Sequence, residues 1–234
     1  PPRRPPWLLL GTGVLAMAAL SLAATRDEGA PSPPRCAEGH ASLNEVWNDP
    51  IRHRLAASFA ATESRYAASL WPAVESALDG YADQWTRLHT ETCEATTIRD
   101  ESPPEVMQLK MSCLHRAALG LQAAVDTLAD AKADLIPRTA DIVDGLRSLD
   151  RCTDIEALSA DVEPPSANEA AGVNAVRAEL ATVRSRISAG RYDEAAAALE
   201  RAQRRSAGLT YPPIRTELLL RRGELLVRSG HFER

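Results

Sequence analysis

The sequence predicts an all-α protein with one transmembrane helix, an up-and-down helical bundle and then helix pairs stacked as an α-solenoid. Three observations carry this prediction: an uncharged apolar segment near the N-terminus, apolar residues at helical spacings from residue 42 onward, and a motif that occurs twice near the C-terminus. The composition agrees, because the apolar residues (44%) are mostly Ala and Leu, with only two Phe, four Tyr and four Trp. Such a composition is typical of helical proteins.

The first element is residues 7–24, WLLLGTGVLAMAALSLAA, which carry no charge. As a helix they would reach roughly 27 Å, enough to cross a hydrocarbon core. Arg3 and Arg4 precede the segment without an acidic residue, which predicts that residues 1–6 are cytoplasmic and that the chain after residue 24 is extracytoplasmic, in the periplasm beyond the inner membrane. A cleaved signal peptide and a buried core helix are the alternatives. A retained anchor is favoured, because the chain opens PPRRPP and has no Met before position 17.

The charges are divided unevenly along the chain. Residues 36–160 carry 20 acidic and 11 basic groups, a net charge of −9, whereas residues 161–234 carry 10 acidic and 12 basic groups, a net charge of +2. An acidic domain argues against a nucleic-acid partner, which requires a basic surface. The Arg excess near the C-terminus is interpreted as a solvated helix surface.

The four cysteines all follow the predicted anchor and form no C-x-x-C pair: Cys36, Cys93, Cys113 and Cys152. Metal-ligand spacing is therefore absent. An even number of cysteines on the oxidising side of a membrane predicts two disulfides. Four free buried thiols are the alternative.

A Pro-rich spacer over residues 25–41 precedes a predicted helical bundle over residues 42–160. The first helix of the bundle has Asp49 as its predicted N-cap, followed by Pro50. The second begins near Ser69 and runs to about Thr97, with Pro72 in its first turn.

The third bundle helix has the clearest start signal, because Ser102 and Glu105 match a capping box. It is predicted to run to about Ala131, and a fourth helix covers residues 136–149. Four helices with short connections predict an up-and-down bundle. Its core is expected to hold Trp47, Trp71 and Trp85, with a ligand pocket lined by them as the alternative.

The same topology favours one of the three possible disulfide connectivities. Cys93 and Cys113 flank the turn between the second and third helices, so they are expected to pair. Cys36 precedes the first helix and Cys152 follows the fourth, at the same pole of the bundle. The pairs Cys93–Cys113 and Cys36–Cys152 are therefore favoured, with the other two connectivities left open.

A second Pro-rich break, residues 161–168, predicts a linker before tetratricopeptide-like repeats over residues 169–234. The segment SAGRYDEAAAALERAQ (188–203) and the segment RSGHFER (228–234) share a Gly, an aromatic and an acidic residue at the same spacing. Their glycines, Gly190 and Gly230, are 40 residues apart, more than the 34 of a plain tetratricopeptide repeat. The second copy stops where its second helix should begin, so the array is expected to be truncated.

The repeat residues with predicted packing roles lie at the ends and contact faces of the helices. Gly190 is expected to end a helix A, Tyr192 to pack between the pair, and small residues to let helix B approach closely. The predicted packing set is Gly190, Tyr192, Ala195, Leu199, Ala202, Gly223, Gly230 and Phe232, with Gly223 as a close-approach position of the second helix A.

Most of residues 36–234 resemble the region that follows the membrane helix in bacterial transmembrane serine/threonine protein kinases with tetratricopeptide-repeat tails. The matching motifs are LDGYA at 78–82 with Trp85, CEAT at 93–96, the turn at 101–102, MSCL at 111–114 and LDRC at 149–152. The resemblance implies a cytoplasmic kinase domain before the anchor. No Gly-rich loop with a strand Lys, H-R-D or D-F-G occurs in this sequence, so no catalytic residue, ATP or Mg site is expected in this chain.

Nothing in the sequence predicts an enzyme. The five His residues contain no H-x-x-x-H pair, and ordinary packed or surface His is the interpretation of each. The predicted function is an extracytoplasmic sensor and protein-interaction tail of a receptor kinase. Its repeats would bind a protein or peptide partner, another copy of the chain included, through their concave face. The alternative is a membrane-anchored repeat scaffold of the cell envelope with no kinase attached.

Overall fold

The computed structural model describes residue 36 and residues 38–62, 64–159 and 164–230. Every regular element within these ranges is a helix, which confirms the all-α prediction. The predicted anchor at residues 7–24, the spacer up to residue 35 and Phe232 lie outside the described residues. Among the helices that the structure describes, none is long and apolar enough to cross a membrane.

The bundle region contains two long helices and several short ones. The long helices are α3, Ala67–Thr97, and α4, Pro104–Ala129, which follow α1, Glu38–Val46, and α2, Asp49–Ala60. After α4 come a 3-10 turn, Ile136–Arg138, the short helix α5, Thr139–Asp144, a second 3-10 turn, Leu149–Cys152, and α6, Ile155–Ser159. The predicted up-and-down bundle of four helices is therefore wrong in its last member, because residues 136–149 do not form one helix.

Two predicted helix caps are also wrong. Helix α2 is capped by Asn48 and not by Asp49, because the Asn48 side chain accepts a hydrogen bond from the Ile51 amide at 2.9 Å. The capping box at the start of α4 does not form, since α4 begins at Pro104 with no side-chain cap. The amides of Glu101 and Ser102 instead bond to the carbonyl of Ala95, at 2.7 and 3.3 Å, and this closes the turn against the end of α3.

The core of the bundle region is built from large apolar side chains. The three predicted tryptophans are all buried in it, Trp47 and Trp85 at 4% exposure and Trp71 at 9%. Phe59 packs against Trp71 with ring centroids 5.2 Å apart, and the Trp85 indole donates to the carbonyl of Leu114 at 2.7 Å. Core filling is therefore the role that the structure gives these rings.

All four cysteines form disulfides, but the favoured connectivity is wrong. The structure pairs Cys36 with Cys93 and Cys113 with Cys152, with Cα–Cα distances of 5.6 and 5.4 Å. The reason is the broken fourth helix. The chain after α5 does not continue as a helix, and the Leu149–Cys152 turn packs beside α4. Cys152 therefore lies next to Cys113, and Cys93 pairs with Cys36.

The repeat region is an antiparallel helix pair followed by a third helix. Helix α7, Ala167–Ser188, is joined to α8, Tyr192–Ser206, by a turn at Gly190, and α9, Pro212–Ser229, ends at Gly230. Both glycines have a left-handed backbone, with φ of +72° and +77°, which only glycine adopts without strain. The equivalent ends of α7 and α9 support the 40-residue repeat.

The small residues of α8 pack against α7. Ala195, Leu199 and Ala202 are buried in this contact, and Tyr192 packs at the edge of the same cluster. At Gly223, nothing among the described residues lies within 4 Å of the position that a Cβ would occupy. The close approach expected at Gly223 stays a prediction.

The two regions are joined along α4 and α7. Ser185 of α7 donates to the Thr127 hydroxyl of α4 at 2.7 Å, and both side chains are buried. Ala189 of the repeat region belongs to the buried core of the bundle region. Residues 36–234 accordingly cluster as one compact unit.

Candidate functional site: an arginine-lined cleft

A cleft of about 280 Å³ lies where the bundle and repeat regions meet. One wall is α4 and the segment that follows α5, and the other is formed by α7 and the start and middle of α9. Apolar side chains line part of it, namely Leu119, Ala124, Ile142, Leu146, Leu180, Pro213 and Leu220.

Six arginines line the cleft, and they come from both regions. The bundle region contributes Arg116, Arg147 and Arg151, and the repeat region contributes Arg177, Arg184 and Arg221. Of the acidic side chains, only Glu217 lines the same surface among the described residues. The cleft is thus strongly basic in a protein whose net charge is −5.

Arg177 and Arg221 each have a carboxylate partner. Arg177 is buried (7% exposed) and donates to Glu217 through both Nε and Nη2, at 3.2 and 2.7 Å. Arg221 pairs with Glu224 one turn along α9. The Arg177–Glu217 pair connects α7 to α9, and the Arg221–Glu224 pair lies within α9.

Arg147 and Arg184 are different, because they are half-buried beside other cations. No carboxylate of the described residues lies within ion-pair distance of Arg147, Arg151 or Arg184. Burial lowers the pKa of the Arg147 guanidinium, and the charges of Arg184, Arg151 and Arg221 lower it further, against a smaller opposing effect of Glu217. The pKa of Arg184 is lowered by burial and by Arg221, with Glu224 and Tyr81 acting in the opposite direction. Like charges held together in this way repel one another, and burial strengthens the repulsion.

Local contacts fix the Arg147 side of the cleft. The Tyr81 hydroxyl, on α3, donates to the Arg147 carbonyl at 3.0 Å. Burial raises the pKa of Tyr81 to about 12, so the phenol remains a donor at neutral pH. Gly145 permits the chain to pass close to α7, because a Cβ there would lie 3.0 Å from the Asp141 carbonyl oxygen and from the Ser188 hydroxyl.

A second depression lies between α1, α2 and α3, but its polar groups are satisfied. Asp79 accepts from the Trp47 indole at 2.7 Å and from Arg52 at 2.8 Å through the same oxygen. The Arg52 guanidinium also lies 5.3 Å from the centre of the Trp47 ring. These bonds hold α1 and α2 onto α3.

None of the described residues in the predicted packing set, and none of the cysteines, lines the cleft. The sequence-based interpretation of the Arg excess as a solvated surface is wrong for Arg177, Arg184 and Arg221. A signal was present, because Arg177 and Arg184 are seven residues apart and share the α7 face of the buried residues Val173, Val176, Leu180, Val183 and Ile187. Arginines within an apolar stripe are expected to face protein and not water.

The described residues offer no group of His, Cys, Asp or Glu that could hold a metal ion. The cleft brings several arginines together, and such an arrangement can bind and orient an anion. Comparison of the chain with protein-family models, with curated proteins and with solved structures found no match.

Proposed function

We propose that this chain is the extracytoplasmic sensor and protein-interaction region of a membrane-anchored serine/threonine kinase, and that its helix pairs bind an amphipathic helix of a partner. The resemblance of the tail motifs to such kinases supports the kinase part of this proposal. The observation that carries the interaction part is an apolar face of α9 that is open in the structure but covered at the equivalent place of α7.

The 40-residue repeat makes the comparison residue by residue. Leu180, Val183 and Ile187 of α7 correspond to Leu220, Gly223 and Val227 of α9. The three α7 residues lie in one buried cluster with Ala195, Ala198 and Leu199 of α8. Ile187 is 4% exposed, whereas Val227 is 59% exposed, and Leu220 is 60% exposed where Leu180 is 6% exposed. Within the part of the chain that the structure describes, no helix covers this α9 face in the way that α8 covers α7.

The chemistry of α8 indicates what would fit this face. Helix α8 presents small residues, Ala195, Ala198 and Ala202, with one larger side chain, Leu199, and this permits a close helix–helix approach. The occupant is thus an amphipathic helix with an alanine-rich face, as in helix-in-groove recognition. Such a helix from another repeat, from a second copy or from a partner protein has the same chemistry.

A peptide copying residues 192–206, stapled on its exposed face because short helices are marginal in water, provides the probe. We expect saturable binding to the full chain in detergent, measured by fluorescence anisotropy. The Val227→Asp variant should bind at least tenfold more weakly, because it places a charge in the apolar contact. Arg222→Gln, an exposed change on the same helix, is the matched control.

Equal binding by wild type and Val227→Asp, or no saturable binding, would contradict the interaction proposal. A peptide in which Leu199 is replaced by Glu tests the other side of the contact and should not bind. The kinase part has a separate test: the coding sequence upstream of Pro1 is expected to encode a Gly-rich loop, H-R-D and D-F-G. Absence of these motifs would favour the scaffold alternative.

A further inference from the structure

We propose that the arginine-lined cleft is a binding site for a small organic polyanion that carries at least two phosphate or carboxylate groups. This inference goes beyond the proposed function, because it concerns a small ligand in the cleft and not the helix on the open face of α9. Arg147, Arg151 and Arg184, which have no carboxylate partner among the described residues, are its principal ligand-binding groups.

The charges in the cleft are not balanced. Glu217 and Glu224 pair with Arg177 and Arg221, whereas Arg147, Arg151 and Arg184 have no carboxylate of the described residues within ion-pair distance. A folded protein holds like charges together at a cost in stability, which is relieved when the opposite charge arrives with a ligand. Two or three anionic groups on one molecule would match this excess.

The cationic groups come from both regions. Arg147 and Arg151 belong to the bundle region and Arg184 belongs to α7, and all three line the same cleft. The guanidinium fork donates two parallel hydrogen bonds to a carboxylate or phosphate, and several forks in one cleft can bind two anionic groups of one ligand. The Tyr81 hydrogen bond and the Gly145 approach position this wall before any ligand arrives.

The size and lining of the cleft also favour a small ligand. A volume of about 280 Å³ suits a small molecule and excludes a folded partner. Leu119, Ile142, Leu146 and Leu180 offer apolar contact to a carbon body between the anionic groups. The net charge of −5 for the whole chain opposes long polyanions such as nucleic acids, which need an extended basic surface.

The test is isothermal titration calorimetry of the full chain in detergent, at constant ionic strength set with chloride. Pyrophosphate and citrate are the two probes, one for phosphate chemistry and one for carboxylate chemistry, and orthophosphate tests the need for more than one anionic group. We expect one molecule of pyrophosphate or citrate to bind per chain, and orthophosphate to bind at least tenfold more weakly. The probe that binds more tightly identifies the anionic group.

Arg184→Gln should weaken the binding of the preferred probe at least tenfold, because charge-assisted hydrogen bonds are lost. Arg147→Gln should have a similar effect from the opposite wall, and it serves as the second variant if Arg184→Gln does not give a cooperative thermal melt. Arg222→Gln, an exposed arginine on α9 outside the cleft, should bind like the wild type.

Absence of saturable binding by both probes, or equal affinity of Arg184→Gln, Arg147→Gln and wild type, would overturn the inference. The stapled-peptide assay on Arg184→Gln separates this result from the proposed function. Leu220 borders both the cleft and the open α9 face, but Val227, on which the peptide assay depends, does not line the cleft. Peptide binding by Arg184→Gln should therefore equal that of the wild type.

Discussion

The bundle region and the repeat region are both helical, but different interactions hold them together. The bundle region, residues 36–159, has irregular short helices around a core of Trp, Phe and Leu side chains, and two disulfides connect its segments. The repeat region, residues 164–230, has three regular helices and a core rich in Ala and Val, with ion pairs such as Arg177–Glu217 between the helices. The first is stabilised by covalent links and large apolar contacts, and the second by the close approach of helices.

The repeat region also has an extensive contact with the bundle region. Helix α7 is covered by α8 on one side and by α4 of the bundle region on the other, with the Ser185–Thr127 hydrogen bond between them. Three repeats are usually needed for an array to be stable alone. We infer that the bundle region acts as a cap on the first repeat, and that the cleft is a product of this contact.

The largest effect is expected from removing a disulfide of the bundle region. Replacing both Cys113 and Cys152 by Ala should cost about 4 kcal/mol of unfolding free energy, by the chain-entropy estimate for a sequence separation of 39 residues. Denaturant unfolding followed by Trp fluorescence measures it, because the buried tryptophans Trp47, Trp71 and Trp85 all lie in the bundle region. A loss below 1 kcal/mol would mean that large apolar contacts alone stabilise this region.

The next effect concerns the core of the repeat region. Leu199→Ala should cost about 3 kcal/mol, because it leaves a cavity between α7 and α8. Leu219→Ala, at an exposed position of α9, is the control and should change stability by less than about 0.5 kcal/mol. If Trp fluorescence and helical circular dichroism then show separate transitions, the two regions unfold independently and the cap interpretation is wrong.

The ion pair between α7 and α9 should have a smaller effect. Glu217→Gln should cost about 2 kcal/mol, because it leaves the buried Arg177 without its carboxylate, and the cost is reduced by the partial exposure of Glu217 (34%). The exposed pair Arg204–Glu200 is the matched comparison, and Glu200→Gln should have almost no effect. Equal melting temperatures for both variants would show that the inter-helix pair does not stabilise the repeat region.

The smallest effect is a titration in the wall of the cleft. The pKa of Tyr81 is raised from 10.0 to about 12 by burial, so its stabilising contribution is complete below pH 10 and is lost as the pH rises through about 12. The ultraviolet absorbance of the wild type should therefore include a phenolate ionisation at about pH 12 that Tyr81→Phe lacks. Tyr81→Phe should also cost about 1 kcal/mol through the lost hydrogen bond to the Arg147 carbonyl. Identical titration curves for the two proteins would contradict the assigned contact.

Sequence reasoning predicted the features that depend on local spacing. The apolar periodicity of α3 and α4, the glycine that ends α7 and the small residues of α8 all reflect contacts along one helix or between neighbours in the chain. It failed where a distant contact decides the local structure. Ser102 matches a capping box in the sequence. In the structure, the chain reverses at Asp100, which has a φ of +54°, and the Ser102 amide donates to the Ala95 carbonyl.

The disulfide pairing was predicted wrongly, and the cleft was not predicted, for the same reason. The predicted pairing depended on a complete fourth helix, but α5 ends at Asp144, and Gly145 then lies beside Ser188 of α7. Arg147, Arg184 and Arg221 are separated along the chain and come together only when α7 packs on α4. The spacing of residues along the sequence does not reveal which residue of the bundle region contacts which residue of the repeat region.

Hydrogen exchange of the full chain, with and without saturating pyrophosphate or citrate, tests most directly whether the cleft is one binding site made by both regions. The account predicts slower exchange at residues 145–151 of the bundle region together with residues 177–188 and 213–221 of the repeat region, and no change in α2 or in the first half of α3. Slower exchange in one region only, or no change in either with both anions, would contradict it.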